Sequence, residues 1–201
     1  MSILSLRKLR GKQDADAKTR GEFITTELLP RVFSAHNRNT EIHVLDVGIG
    51  ITDTTEFLQN HREQDHRCKV YFLDLAPALK ANSSITIGEV FAEYTGELFD
   101  VCLFWDLLHR LDHEQLNELS DALEPYVYSG TRAHALVNLS NPSERYRIRA
   151  EDQLEVDLST PHDYRTNSLT ALRQHFSCLQ TLDDRFRCDG RLELLLGTDA
   201  H

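Results

Sequence analysis

The chain of 201 residues is 40% hydrophobic and 27% charged, with nine Gly and five Pro. That composition excludes disordered, fibrous and low-complexity classes and predicts a single domain over residues 21–201 behind a basic arm at residues 1–20. Lys and Arg total 22 against 32 Asp and Glu, a formal net charge of -10, which repels a nucleic-acid backbone and disfavours nucleic acid as a partner.

The charge is unevenly placed: the first twenty residues hold six basic and two acidic side chains, leaving 16 basic and 30 acidic in the body. The opening MSILSLRKLR interleaves Ile3, Leu4, Leu6 and Leu9 with Arg7, Lys8 and Arg10, too broken for the apolar run of about 7 to 15 residues that a secretory signal needs. It reads as a docking or disordered arm with a partner of its own. No later stretch approaches the roughly 18 to 20 apolar residues required to span a bilayer, so no integral membrane association is expected. Cys68, Cys102, Cys178 and Cys188 show no CxxC spacing, which suits reduced thiols and a cytoplasmic address.

In chain order, the apolar spacing of Ile24, Leu28, Val32 and Phe33 predicts a helix over about 22–35, with Pro30 kinking or dividing it. Five runs then alternate with helical segments: IHVLDV (42–47), KVYFLD (69–74), SSITIGE (83–89), DVCLFWD (100–106) and AHALVNL (133–139). They are apolar on both faces, as central strands of a parallel sheet covered on each side by helices are. Asp53-x-x-Glu56 and Asp112-x-x-Gln115 read as helix starts of capping-box type, the second followed by Leu116, Leu119 and Leu123 on one face and stopped near Pro125. A helix near Leu169, Leu172 and Phe176 precedes CLQTLDDRF and RLELLLG, and the Cys188-Asp189-Gly190 turn between them predicts an antiparallel hairpin. The fold class is α/β: a mostly parallel twisted sheet of about seven strands with helices on both faces and a C-terminal antiparallel hairpin.

The first strand runs into Asp46-Val47-Gly48-Ile49-Gly50-Ile51-Thr52, a glycine-rich turn that lets the backbone approach a ligand closely. A dinucleotide fingerprint would need a third glycine at position 53, which is Asp53, and no GxxxxGK[ST] phosphate loop occurs. VLDVGIGIT with Asp46, Gly48 and Gly50 instead resembles the first motif of the class I S-adenosylmethionine-dependent methyltransferases. That resemblance implies that the turn wraps the cofactor and that Asp74, ending KVYFLD, accepts from the ribose hydroxyls. It also implies that Glu89 lies near the adenine, and that FDVCLFWDLLHRLD brings Trp105, Asp106 and His109 beside the transferable methyl. The resemblance spans about residues 40–197 and implies S-adenosylmethionine as cofactor, a small molecule or protein side chain as acceptor, and Asp106 and His109 as the catalytic pair. His109 would serve as base because an unperturbed imidazole titrates near neutral pH.

A rival reading keeps the fold as a catalytically degenerate binding or regulatory scaffold. It rests on Thr52 in place of a third glycine, the 14 residues between Asp74 and Glu89, and the lack of a substantial insertion to build a substrate lid. No metal site is expected: His109 and His113 are four apart, but Arg110 stands where an HExxH glutamate would be. His61, His66 and Cys68 read as a solvated loop before a strand. Arg145, Arg147 and Arg149 have period two and either present charges on an exposed strand face, the favoured reading, or orient an anionic substrate.

Overall fold

The computed structural model describes residues 22–36, 40–48, 57–58, 67–80, 83–138, 144–150, 152–158 and 167–198. The elements in chain order are β1 (Glu22–Thr25), α1 (Leu29–Ser34), β2 (Glu41–Gly48), β3 (Arg67–Asp74), α2 (Ile87–Phe91), β4 (Val101–Trp105), α3 (His113–Leu123), β5 (Arg132–Asn138), β6 (Glu144–Ala150), β7 (Gln153–Leu158), α4 (Leu169–His175), β8 (Gln180–Phe186) and β9 (Arg191–Gly197). Six strands form the main sheet in the order β3-β2-β4-β5-β9-β8. β3, β2, β4 and β5 run parallel, and β9 joins β5 and β8 antiparallel.

The two faces of this sheet separate by residue parity, as a pleat requires. Leu45, Val47, Cys102, Phe104, Ala133, Ala135, Leu194 and Leu196 face one cluster with Phe91, Leu116, Leu119, Leu123, Leu172 and Phe176 from α2, α3 and α4. Ile42, Val44, Val101, Leu103, Trp105, Leu136 and Leu195 face the other, with Leu28, Leu29 and Val32 from around α1, Leu58 from a helical turn, and Tyr146, Ile148, Leu154 and Val156. Helices therefore flank both faces. On the second face they are joined by a separate three-stranded antiparallel sheet, β1-β7-β6.

The sequence expectation for α3 holds in detail. Asp112 accepts from the Gln115 amide at 2.9 Å and the Gln115 side chain accepts from the Asp112 amide at 3.0 Å, while Leu116, Leu119 and Leu123 are buried. The C-terminal hairpin also forms, with Gly190 at φ 83° in its turn. That left-handed conformation is one glycine adopts without steric cost.

Three expectations are corrected. The segment 83–89 is not a strand: Thr86 caps α2 in a capping box with Glu89, and the hydroxyl of Tyr94 takes the Phe72 carbonyl on the open edge of β3. A short helix and a turn cover that edge in place of a further strand. The single helix expected over 22–35 is divided into β1, paired with β7, and α1, with Pro30 in the first turn of α1 where its missing N–H costs nothing. An insertion does exist, since β6 and β7 lie between β5 and α4 and build the second sheet. The helix start at Asp53-x-x-Glu56, Gly50, Thr52, His61, His66 and the basic arm lie outside the described residues.

Candidate functional site

The chain leaves β2 for β3 on one side and then crosses to β4 on the other, so the strand order reverses at β2. In open α/β sheets a ligand crevice forms at the carboxyl ends of the strands flanking such a reversal. In this chain those ends carry Gly48, Asp74 and Trp105. Gly48 is paired in register with Asp74, and the Leu75 amide donates to the Gly48 carbonyl at 2.9 Å. Asp74 is exposed, with its Oδ1 accepting from the Ala76 amide at 2.8 Å.

Asp46 is two residues back along β2 and almost wholly buried. Its Oδ1 accepts from the indole N–H of Trp105 at 2.6 Å, a bond that spans β2 and β4. Trp105 has φ 47°, a conformation that bulky side chains rarely adopt, and the β4–β5 pairing slips by one residue between Leu103 and Trp105. Strain of this kind persists only where surrounding contacts hold it. Tyr146 of β6 stacks on the indole at 5.9 Å with ring planes 8° apart, and His134 of β5 meets it edge-on at 6.3 Å.

The turn after β4 holds Asp106 and His109, both buried. Arg110 Nε lies 3.2 Å from Asp106 Oδ2, and the buried side-chain amide of Asn167 donates to the Leu108 and Leu111 carbonyls, fixing the turn. Burial, then the adjacent Arg110 charge, lowers the His109 pKa from 6.5 to about 4, against a hydrogen bond to the Leu136 carbonyl that opposes the shift. The expectation of an imidazole titrating near neutral pH is thereby corrected. His109 is neutral at physiological pH, and as a proton acceptor it is no stronger than an ordinary carboxylate.

The sequence expectations thus divide. Asp46, Gly48, Asp74 and Trp105 come together at the ends of β2, β3 and β4, with Asp106 and His109 in the next turn. Glu89 sits at the third position of α2 with its carboxylate accepting from the Thr86 amide at 2.8 Å. His113 does not join His109 but stacks on His175 at 4.3 Å, and no metal-binding cluster occurs among the described residues. Arg147 and Arg149 both pair with Glu155 of β7. A cleft of about 390 Å³, lined by Leu108, Leu172, Phe176, Leu194 and Leu196, lies under α4.

One buried group escaped the sequence reading. Glu193 of β9 accepts from the amides of Glu27, Leu28 and Leu29 at 3.0 to 3.3 Å and pairs with His134 Nε2 at 2.9 Å. Burial raises its pKa, but His134 and the amides outweigh burial and hold the carboxyl below its usual range. The available signal was a polar, ionisable side chain inside each of two apolar strand runs, RLELLLG and AHALVNL.

Four parallel strands reversing at the first of them, closed by an antiparallel hairpin, make the fold of the class I S-adenosylmethionine-dependent methyltransferases. Two solved structures agree in fold. An S-adenosylmethionine-dependent methyltransferase from Clostridium acetobutylicum is similar at 12% identity over 86% of this chain and 89% of that one, with TM-score 0.50. A Sulfolobus solfataricus protein assigned to the type 11 methyltransferases is similar at 14% identity over 86% of this chain and 90% of that one, with TM-score 0.50. The 1,6-didemethyltoxoflavin-N1-methyltransferase of Burkholderia thailandensis, solved with 1,6-didemethyltoxoflavin and S-adenosylhomocysteine, aligns at 20% identity over 86% of this chain and 77% of that one, with TM-score 0.47. No family model matches the chain, and no curated protein matches it in sequence.

Proposed function

We propose that the chain binds S-adenosylmethionine at the carboxyl ends of β2, β3 and β4 and transfers its methyl group to a small molecule or a protein side chain. The observation that carries this reading is the register of Gly48 with Asp74 at the strand-order reversal. It sets a residue without a side chain beside an exposed carboxylate, which suits a ligand presenting vicinal hydroxyls against backbone. A carboxylate can accept from both hydroxyls, each such bond contributing about 1.5 to 3 kcal/mol net. The glycine turn from Gly48 to Gly50 wraps the rest of the cofactor, and Glu89 is assigned to the adenine side.

The cofactor supplies an electrophilic methyl group when bound; the chain's own residues bind, align and exclude water. Asp106 and His109 are assigned to the acceptor side. His109, held neutral, fixes the turn through Leu136 and orients the acceptor rather than taking its proton. The buried Asp46 keeps the end of β2 anchored to β4 through Trp105. The net charge of -10 supports an acceptor other than nucleic acid. A cytoplasmic setting is supported by four free cysteines, and no helix among the described residues is long and apolar enough to cross a membrane.

The test is thermal unfolding with S-adenosylmethionine or S-adenosylhomocysteine. At a hundredfold excess over Kd a ligand adds about 2.7 kcal/mol, a rise of roughly 5 to 10 °C for a chain of this size. An unchanged melting temperature at millimolar concentrations of both forms overturns the proposal.

A further inference from the structure

An aromatic contact joins the β1-β7-β6 sheet to the candidate site. Tyr146 projects from β6 into the cluster beneath the main sheet and is buried together with Trp105. Its ring lies parallel to the indole, and the indole N–H is the donor on the buried Asp46 carboxylate. Trp105 occupies the left-handed backbone region at the bulge that ends β4. Such a conformation persists only where its surroundings enforce it. Three contacts hold the indole: the Tyr146 stack, the His134 edge and the hydrogen bond to Asp46. An aromatic pair of this kind contributes stabilisation beyond simple burial.

Tyr146 lies 100 residues beyond Asp46, and among the described residues the β1-β7-β6 sheet that carries it has no pairing with the main sheet. Ile148, Leu154 and Val156 of that sheet pack in the same cluster as Ile42, Val44 and Leu103, and Tyr146 is the member that stacks on Trp105. We infer that Tyr146 is a positioning residue: through its stack on Trp105 it holds the indole N–H on Asp46 and so keeps the end of β2 at Gly48 in the geometry that receives the cofactor. This rests on the cofactor reading proposed above and adds to it a role for the β1-β7-β6 sheet, which braces the carboxyl end of β2 through Trp105.

The chain contains one tryptophan, so its intrinsic fluorescence reports this contact whether or not a ligand binds. The experiment compares the parent with Tyr146→Phe, Tyr146→Leu and Ile148→Val. Ile148 is buried on the same strand and in the same cluster, and its variant controls for loss of stability alone. Each protein is measured well below its melting temperature for Trp105 emission and for S-adenosylhomocysteine affinity by calorimetry. Tyr146→Leu is expected to shift the emission to longer wavelength and weaken binding about tenfold, while Tyr146→Phe, which preserves the stack, restores both, and Ile148→Val changes neither.

Parent-like affinity in Tyr146→Leu, or an equal loss in Ile148→Val, overturns the positioning role while leaving the cofactor reading intact. A parent that binds no S-adenosylhomocysteine overturns the cofactor reading and with it the purpose given to the brace; an emission shift in Tyr146→Leu then marks a purely structural contact. Should Tyr146→Leu not fold, Asp46→Leu, which removes the acceptor of the indole N–H at similar size, tests the same connection from its other end, with the same shift and weakened binding expected and unchanged emission and affinity contradicting it.

Discussion

Replacing His109 with Gln should remove a pH dependence of stability that the parent shows in mild acid. The folded imidazole has its pKa lowered from 6.5 to about 4, so between those values the unfolded chain binds a proton that the folded chain does not. Stability is complete above about pH 6.5 and falls as the pH drops toward 4. At roughly 1.4 kcal/mol per unit, the shift corresponds to about 3 kcal/mol in total, of which about 2 kcal/mol is gone by pH 5. Carboxylates held low in the folded state, such as Asp183 beside Arg31, lose their stabilising effect only at lower pH, which leaves pH 6.5 to 5 as the window to measure. Glutamine keeps a donor for the Leu136 carbonyl but does not titrate. Urea unfolding of parent and His109→Gln at pH 7, 6 and 5 should show the parent losing about 2 kcal/mol more than the variant over that range. Parallel losses in the two proteins would refute the burial argument and return His109 to service as a base near neutral pH.

Asp74→Ala should weaken S-adenosylhomocysteine binding about ten- to a hundredfold by calorimetry without altering the fold, because an exposed carboxylate contributes little to stability; unchanged affinity would move the ribose contact elsewhere. Gly190→Val places a β-branched residue at φ 83° and should lower stability by about 1 to 3 kcal/mol in chemical unfolding, whereas a neutral result would show that the hairpin turn relaxes. Glu193→Gln removes the charge that serves three amides and His134. It should cost about 2 to 4 kcal/mol and expose amides 27 to 29 to faster hydrogen exchange; protection equal to the parent's would mean that α1 is held by packing alone.

What the sequence disclosed follows the range of the signals. The α3 capping box and the Asp189-Gly190 turn act over two to four residues and were legible as such. The register of Gly48 with Asp74 followed from two strand ends, each readable alone. Segment 83–89 misled because Ile85 and Ile87 alternate like a strand, although Thr86-x-x-Glu89 is the same type of helix start that was recognised at Asp112. The division of 22–35 into β1 and α1 had Pro30 as its local signal, but the strand itself had none, since β1 is created by pairing with β7 and α1 is capped by Glu193 from the far end of the chain. Period two in 145–149 disclosed a strand, and its buried face, Tyr146 and Ile148, could be counted. That Tyr146 meets Trp105 could not, because the contact joins two separate sheets. The acidity of His109 likewise depends on burial by residues distant in sequence.

The most direct test is a crystal structure of the protein grown with S-adenosylhomocysteine. The expected result is the nucleoside across the carboxyl ends of β2 and β3, with both ribose hydroxyls within hydrogen-bond distance of Asp74 and the thioether end turned toward the Asp106–His109 turn. Density for the ligand elsewhere, for example in the cleft under α4, or none at saturating concentration, would contradict the assignment of these strand ends as the cofactor site.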